Sequence, residues 1–483
     1  MKTDMDEAAR PKIAPPLHSD FVPAVLWNKA YRAAADADGR SVPLVLGLMR
    51  SDGSLSRYQT SVFAPGHPSF ETGLRYAERL IKSLLWMWGG HRVVVGGPAE
   101  VGNRLRRVYS RRGERAFDAG LMSTAYGKTF IVEVTAADSV PPAIEKTRPL
   151  GRHLEGCRIG FDLGASDRKV SAVIDGETVF SEEVPWDPRH QDNPVYHYHQ
   201  IMSGLHQAAS HLPRVDAIGG SAAGIYINNR AMVASLFRAI APADFKKRIQ
   251  PMFLRLRKEW QVPFEVVNDG EVTALAGSMS LNANSVLGIA MGSSQAGGYV
   301  NERGNITGRL NELAFAPVDL NPVAPLDEWS GDAGCGAQYF SQQAVFRLAG
   351  EAGISLADDL AAVDKLKVVQ ELLHGGDERA RLVFETIGVY LGYGIAHYAD
   401  YYDIAHVLIL GRVTSGEAGP VILERARHVL KAEFPDLFAG LALYLPDEQT
   451  RRIGQAVAAA SLPVIEKNEK RNDHGFETEK TRE

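Results

Sequence analysis

The sequence predicts an α/β protein, because short apolar strands that end in glycine-containing turns alternate with amphipathic helices. The clearest strand–turn–strand unit lies at 158–176, where two apolar runs flank a turn that contains Asp162, Gly164 and Lys169. Asp175-Gly176 is a hairpin signal that leads into a third strand. With 483 residues, the chain can form two or three domains, each with its own core.

Composition narrows the class of protein. Hydrophobic residues make up 45% and charged residues 23% of the chain, which is typical of soluble globular proteins. A net charge of -5 argues against nucleic acid or an anionic membrane as a partner. Two cysteines, Cys157 and Cys335, and no apparent signal peptide or membrane-spanning stretch predict a cytoplasmic protein without disulfides.

The first third of the chain predicts an α/β region of its own. We expect a flexible lead at 1–20, an α/β region at 21–140 and a linker at 141–156. The expected elements are helices at 21–38 and 70–88 and strands at 42–50, 56–63, 91–95 and 129–135. Their order resembles the start of a nucleotide-binding fold. This region is therefore interpreted as a partial copy of such a fold, which packs on the rest of the chain or mediates homodimerisation.

A second carboxylate follows a buried strand further along the chain. Residues 264–267 are an apolar strand, which ends at Asn268-Asp269 and is followed by a small-residue helix to Gly277. A carboxylate beside a helix N-terminus stays ionised and can act as a base or metal ligand, although a simple helix cap is the plainer interpretation of Asp269.

Two more glycine turns follow strands in the last third of the chain. The strand at 286–291 precedes Gly292, Ser293 and Ser294, and the strand at 407–410 precedes Gly411 and Arg412. Glycine lets backbone N–H groups approach an anion closely, so each turn is a candidate phosphate-binding site.

Three glycine turns at strand ends, with a strand-end carboxylate between the first two, resemble the actin/hexokinase/heat-shock ATPase superfamily. Within it, the chain is similar to the ROK family (repressor, open reading frame, kinase) from about 158 to 463. The resemblance implies a two-lobed fold with a cleft, with lobes at 157–277 and 278–465 and a disordered tail at 466–483.

The resemblance also implies roles for individual residues. Asp269 would be the general base, Asn268 and Glu312 would hold a sugar, and Asp162 would hold Mg²⁺ through water. Gln338 would replace a second sugar-binding glutamate, which is Ala337 here. Contacts with ATP would come from Gly164, Lys169, Gly292, Ser293, Ser294, Gly411 and Arg412. A solvated role for Lys169 is an equal alternative.

The chain departs from the family in its zinc loop. Zinc-binding members carry three cysteines and a histidine, whereas this chain has Phe315, Glu328, Ser330 and Cys335 at those positions. A structural zinc ion needs four N/S ligands, so no zinc is expected. The histidines at 190, 197 and 199 lie in a Pro/Asp/Asn-rich stretch, which predicts a surface loop rather than a metal site.

The predicted function is therefore ATP-dependent phosphorylation of a hydroxyl on a sugar or sugar-like molecule, with ATP and Mg²⁺ as cofactors. The alternative is an inactive ROK-fold protein that binds a sugar or nucleotide and acts in regulation. DNA binding is not expected, because ROK repressors have an N-terminal winged helix-turn-helix and residues 21–140 predict early strands instead.

Overall fold

The computed structural model describes residues 9–145, 150–446 and 448–465. The predicted disordered tail at 466–483 lies outside these residues, as do the first eight residues of the predicted lead and 146–149 of the predicted linker.

The N-terminal region forms a four-stranded sheet of order β2-β1-β3-β4 with helices packed against it. Two helices, Ala99–Val108 and Ala116–Tyr126, lie in a segment for which no element was predicted. The elements are α1 (Ala24–Ala37), β1 (Ser41–Met49), β2 (Leu55–Phe63), α2 (Phe70–Met87), β3 (Arg92–Gly96), α3 (Ala99–Val108), α4 (Ala116–Tyr126) and β4 (Ile131–Thr135).

The first lobe is built on a five-stranded sheet of order β11-β8-β5-β6-β7, whose strands lie between Cys157 and Asn268. A small hairpin, β9–β10, turns through Asn228 and Asn229, both of which have positive φ angles, as a two-residue hairpin turn requires. The elements are β5 (Cys157–Leu163), β6 (Asp167–Ile174), β7 (Glu177–Pro185), α5 (Pro194–Ala209), β8 (Ala217–Ala222), β9 (Ile225–Ile227), β10 (Arg230–Val233), α6 (Met252–Trp260) and β11 (Phe264–Asn268).

The interpretation of the N-terminal region as a copy of this lobe is wrong. In the N-terminal sheet, β1 pairs with β3 in antiparallel orientation, whereas its counterpart β5 pairs with β8 in parallel orientation. The crossover between the two strands therefore differs, although the order of elements along the chain is similar.

The prediction of a surface loop is confirmed for His190, which is exposed in the turn before α5, and is wrong for His197 and His199, which lie in the first turns of that helix. The helix begins at Pro194 after the side chain of Asn193 accepts a hydrogen bond from Val195 N. His197 is fully buried against Trp186 and Phe237. The proline at the first helical position and the asparagine cap are a helix start signal that outweighs the loop-like composition before it.

The second lobe has a four-stranded sheet of order β13-β12-β14-β15. Its last helix returns to the first lobe, where the backbone carbonyls of Ala456 and Ala459 would lie 2.1 and 1.7 Å from a Cβ at Gly160 and Gly219. The elements are α7 (Asp269–Leu281), β12 (Val286–Met291), β13 (Gln295–Val300), α8 (Gln342–Glu351), α9 (Ala362–His374), α10 (Glu378–Ala399), β14 (His406–Leu410), α11 (Ala418–Glu433), α12 (Pro435–Ala439), β15 (Ala442–Tyr444) and α13 (Glu448–Ala460).

The N-terminal region shares its hydrophobic core with the second lobe. One continuous cluster of buried side chains joins Trp27, Tyr31 and Trp86 to Ile289 and Tyr390, while the first lobe has a separate core. None of the helices in the described part of the chain is both long and apolar enough to span a membrane.

The described residues of the predicted flexible lead, 9–20, are held against α10. Leu17 N donates to Thr386 Oγ1, and His18 Nδ1 lies 2.6 Å from the Tyr390 hydroxyl. Ala9 is buried, and Ile13 and Leu17 pack against the shared core. The expectation of flexibility is wrong for these residues, because sparse apolar side chains among prolines gave no periodic signal yet find buried positions.

Candidate functional site in the cleft between the lobes

The carboxyl ends of three parallel strands bring the polar residues of the first lobe together. β5 and β11 both pair with β8, so Asp162 is opposite Ser221, and Asn268 is opposite Ala222. Ser221 Oγ donates to Asp162 Oδ1 at 2.6 Å. The strand-end carboxylates that lie a hundred residues apart in the sequence thus share one edge of the sheet.

Asp269 is free of the capping role that was its plainer interpretation. Asn268 is the N-cap of α7: its Oδ1 accepts from Gly270 N at 2.7 Å, and its Nδ2 donates to Gly224 O at 2.8 Å. Asp269 Oδ1 is only a second acceptor for Gly270 N, at 3.0 Å. Burial and the charge of Asp162 raise the pKa of Asp269 to about 6, which suits a general base near neutral pH.

Two further carboxyl groups face the same space from the second lobe. Burial and the charge of Asp269 raise the pKa of Glu312 to about 7. Burial raises the pKa of Glu271, in the first turn of α7, to about 8, although Asn311 Nδ2 donates to its Oε1 at 3.1 Å. The charge of Asp162 acts on Asp269, that of Asp269 on Glu312 and that of Glu312 on Glu271, so each carboxyl group lies near the next.

A cavity of about 400 Å³ opens beside these carboxyl groups. It has the size of a small-molecule site and draws its walls from all three parts of the chain. The polar residues that line it are Arg50, Ser51, Asp52, Tyr126, Tyr226, Asn228, Asn229, Glu265, Asn268, Glu271, Thr307, Arg309 and Glu312.

The second and third glycine turns lie side by side at the carboxyl ends of β12 and β14, which pair in parallel. Gly411 has a φ angle of 101°, and a Cβ there would lie 2.2 Å from Met291 O, so only glycine allows the two strand ends to approach this closely. Ser293, Ser294 and Arg412 are exposed beside these turns. Their hydroxyl and guanidinium groups are accessible to an anionic ligand.

The first turn is a tight hairpin in which Gly164 N donates to Asp167 O. Lys169 Nζ lies 3.4 Å from Asp167 Oδ1 and 4.0 Å from Glu183 Oε2, and its charge also acts on Asp162. Burial nevertheless raises the pKa of Asp162 above its usual value. The lysine therefore lies near the strand-end carboxylate, partly neutralised by surface carboxylates.

Asp162 is the residue best suited to hold a hydrated magnesium ion. Ser221 donates to its Oδ1, which leaves Oδ2 for a cation with water ligands. In the described part of the chain, no group of three or more His, Cys, Asp or Glu side chains forms a ready metal cage. A single carboxylate fits Mg²⁺ only when water and phosphate oxygens complete the octahedron.

Gln338, the predicted replacement for a sugar-binding glutamate, points elsewhere. Its side-chain Nε2 donates to Gln343 Oε1, and its carbonyl accepts from Arg347. It is buried at the start of α8 and does not line the cavity. The 3₁₀ turn Gly336–Gln338 places it beside the residues that open that helix.

The loop at the expected zinc position is held by an ionic cluster, which we define as Glu78, Arg79, Lys82, Arg115, Asp118 and Asp332. Asp332 accepts from three cations of the N-terminal region, at 2.8 Å from Arg79, 2.9 Å from Lys82 and 2.6 Å from Arg115. These cations hold the pKa of Asp332 well below its usual range.

The residues at the zinc positions do not fit a zinc ion. Phe315 packs against Trp86 in a tilted arrangement, at 4.3 Å between ring centroids, and Glu328 is exposed. The Cys335 thiol faces Asp332 O, and burial raises its pKa to about 12, so it is a poor source of thiolate. The donors that remain cannot supply four N/S ligands.

Sequence reasoning missed five residues that shape the cavity. Glu271 and Asn311 lie next to predicted site residues, and the proximity of Glu271 to Asp269 on the first turn of a helix was an available signal. Arg50 and Tyr126 had no signal, because the tertiary packing of the N-terminal region brings them to the cleft, whereas Arg309 lies only three residues before the predicted Glu312.

The chain is similar to one family of known proteins and to several solved structures. The model of the ROK family matches residues 158–435. A ROK hexokinase from Thermus thermophilus is 21% identical, with 63% of this chain and 98% of that chain covered and a TM-score of 0.49. A ROK family glucokinase from Streptomyces griseus, in complex with glucose and AMPPNP, is 20% identical, with 63% and 99% covered and a TM-score of 0.46.

A ROK family transcriptional regulator, a homologue of the E. coli MLC protein, has a TM-score of 0.51 at 17% identity. The alignment covers 72% of this chain and 86% of the regulator. This likeness shows a shared fold. No curated protein matches the chain.

Proposed function

The chain belongs to the ROK family and has its actin-like two-lobed α/β fold, and on that premise we propose that it is an ATP-dependent kinase for a hydroxyl group of a sugar-like molecule. The observation that carries the proposal is the position of Asp269. This carboxyl group follows a strand end in the cleft, is not the helix cap, and has a pKa of about 6 next to a cavity lined by Asn268 and Glu312.

Asp269 would receive the proton of the acceptor hydroxyl. As the proton moves to the carboxylate, the acceptor oxygen forms its bond to the γ-phosphorus and the bond to ADP breaks. A positioned general base is worth about 10²- to 10⁴-fold in rate. Asn268 is held by its bond to Gly224 O, and Glu312 faces the same cavity, so both are placed to orient the hydroxyls beside the reacting one.

The glycine turns would bind the nucleotide. ATP with its magnesium ion supplies the transferable phosphoryl group and offsets the charge that develops on it. Asp162 Oδ2 is the position for the hydrated ion. Backbone amides at Gly164 and Gly292 and the hydroxyls of Ser293 and Ser294 would bind phosphate oxygens, with Lys169 nearby. Gly411 would leave room for the adenosine, beside Arg412.

The test is an acceptor screen that follows ADP formation with hexoses, amino sugars and cyclitols. We expect at least one acceptor to support ATP consumption, and Asp269→Asn to lower kcat by about 10²- to 10⁴-fold. Asp187→Asn, which changes an exposed carboxylate of the same lobe, is the matched control and should leave kcat unchanged. Equal activity of Asp269→Asn and wild type would refute the assignment of the base.

A second candidate function is that of a sugar or nucleotide sensor without phosphoryl transfer. It is favoured by Gln338, which bonds to Gln343 and leaves the position of the second family glutamate without a carboxylate. The fold that the chain shares with a transcriptional regulator is compatible with such a role. Saturable sugar binding without ADP formation for any acceptor would favour this candidate over the kinase.

A further inference from the structure

The N-terminal region contacts the cavity at a point that the family fold does not supply. The turn at 50–52 between β1 and β2 and the last residue of α4, Tyr126, line the same cavity as Asn268, Glu271 and Glu312. The family match begins only at residue 158. These lining residues are therefore an addition of this chain to the cleft.

The N-terminal region also holds the backbone that carries Glu312. Glu312 N donates to Trp86 O at 2.9 Å, and Asn311 N donates to Met87 O at 3.0 Å. Both carbonyls belong to the last turn of α2, whose terminal carbonyls have no partner within the helix. The helix end thus fixes the residue that is placed to contact the acceptor.

Tyr126 reaches the cavity across a glycine. Gly89 has a φ angle of 78°, and a Cβ built there would lie 1.9 Å from the Tyr126 hydroxyl oxygen. Any larger residue would displace the tyrosine. Arg50, Asp52 and Glu271 line the same cavity, so the tyrosine shares it with the N-terminal turn and with a carboxyl group of the cleft.

Arg50 lines the same cavity as Tyr126 and has a hydrogen-bond donor that is not used within the protein. Its side chain is 96% buried, and its terminal nitrogens bond to Ser56 Oγ and Glu145 Oε2. In the described residues, its Nε has no hydrogen-bond partner. It lies 3.9 Å from the Cβ position of Gly308, another residue that lines the cavity. A buried donor without a partner is costly, and a ligand oxygen would satisfy it.

We propose that the N-terminal region forms part of the acceptor site, in which Tyr126 Oη and Arg50 Nε bind oxygen atoms of the acceptor at the end remote from the hydroxyl near Asp269. This inference rests on the proposed function only for the identity of that hydroxyl. The acceptor is an oxygen-rich polyol or sugar derivative long enough to contact both walls. Tyr126 and Arg50 act as specificity-determining residues.

The experiment compares wild type with Tyr126→Phe and Arg50→Lys. The probes are glucose, N-acetylglucosamine, gluconate and myo-inositol, and binding is followed by the fluorescence of the tryptophans beside the cleft. The loss of one hydrogen bond predicts a rise of about three- to tenfold in the Kd or KM of the probe that binds best, with the KM of ATP unchanged. Arg50→Lys keeps the charge but lacks Nε.

Tyr109→Phe is the matched control, because its hydroxyl is buried in the same region but donates to Glu78 O, away from the cavity. It should lower the melting temperature and leave probe binding unchanged. Wild-type affinity in both Tyr126→Phe and Arg50→Lys would overturn the inference while leaving the kinase intact. Binding without phosphorylation, weakened by both variants, would overturn the kinase and support the inference. Failure of every probe to bind would overturn both.

Discussion

Two buried sites in this molecule shift the pKa values of their carboxyl groups in opposite directions. In the ionic cluster, Asp332 lies within 3 Å of cationic nitrogens from Arg79, Lys82 and Arg115, and its pKa falls below the usual range. In the cleft, burial and a neighbouring carboxylate, Asp162 for Asp269 and Asp269 for Glu312, raise the two pKa values to about 6 and 7.

This difference distinguishes a buried carboxylate that has a structural role from one that is available to a ligand. A buried carboxylate that is surrounded by cations is satisfied in the folded protein and has nothing left to offer a ligand. Burial disfavours the charged form of a carboxyl group and so raises its pKa. Such a group can accept a proton when a substrate arrives. The N-terminal region contributes to both places, because it supplies the cations of the cluster and one wall of the cavity.

The largest expected effect on stability comes from breaking the cluster. Asp332→Asn leaves three cations without their shared carboxylate, and we expect it to lower the free energy of unfolding by about 3–5 kcal/mol at pH 7. Because the folded-state pKa of Asp332 is depressed, its contribution is present above its unfolded value of 3.8 and is lost as pH falls through the folded value.

Urea denaturation at pH 7 measures this change, with Asp364→Asn, a substitution in an exposed i,i+3 ion pair, as the control. A loss no larger than that of the control would show that the cluster is not a structural element.

The contribution of Glu271 to stability should change with pH in the direction opposite to that of Asp332. Its folded-state pKa of about 8 exceeds the usual value of 4.5 for an unfolded chain, so the neutral form contributes stability below that unfolded value, and the contribution is lost as pH rises through 8. Glu271→Gln mimics the neutral form. It should raise the free energy of unfolding at pH 8 by about 2 kcal/mol and leave it nearly unchanged at pH 4.

Urea midpoints at the two pH values measure the effect, and Glu302→Gln, which changes an exposed carboxylate, serves as the control. An equal effect of Glu271→Gln at both pH values would contradict a raised pKa in the cleft.

The smallest effect is expected from metal removal. Because Asp332 is bound by side-chain cations and Phe315 packs against Trp86, the zinc-loop position needs no ion for its structure. Treatment with a chelator should leave the melting temperature unchanged in the absence of nucleotide. Stoichiometric zinc in elemental analysis, together with a lower melting temperature after chelation, would refute the assignment of the cluster as the replacement.

The sequence predicted those elements whose structure is determined by one local pattern of residues. The resemblance to the ROK family is confirmed, and strands that end at Leu163, Asn268, Met291 and Leu410 lie where the apolar runs predict them. Because these strands run parallel within each sheet, their carboxyl ends lie at the same edge of that sheet. Helix α2 was equally plain, because its apolar residues recur at helical spacing over five turns.

What the sequence could not show depends on contacts between distant segments. Arg50 and Tyr126 reach the cavity only because the N-terminal region shares a core with the second lobe. Gln338 turns to Gln343 because the 3₁₀ segment directs it there. Helix α4 was missed because its hydrophobic residues are spread around the helix instead of forming one stripe.

The most direct test of the central claim is the pH dependence of kcat/KM for the best acceptor. If Asp269 is the base, its proton must leave before reaction, so kcat/KM should be constant above pH 7 and fall about tenfold per pH unit well below a midpoint near 6. A kcat/KM that stays constant down to pH 4.5 would contradict the assignment of this carboxyl group as the proton acceptor.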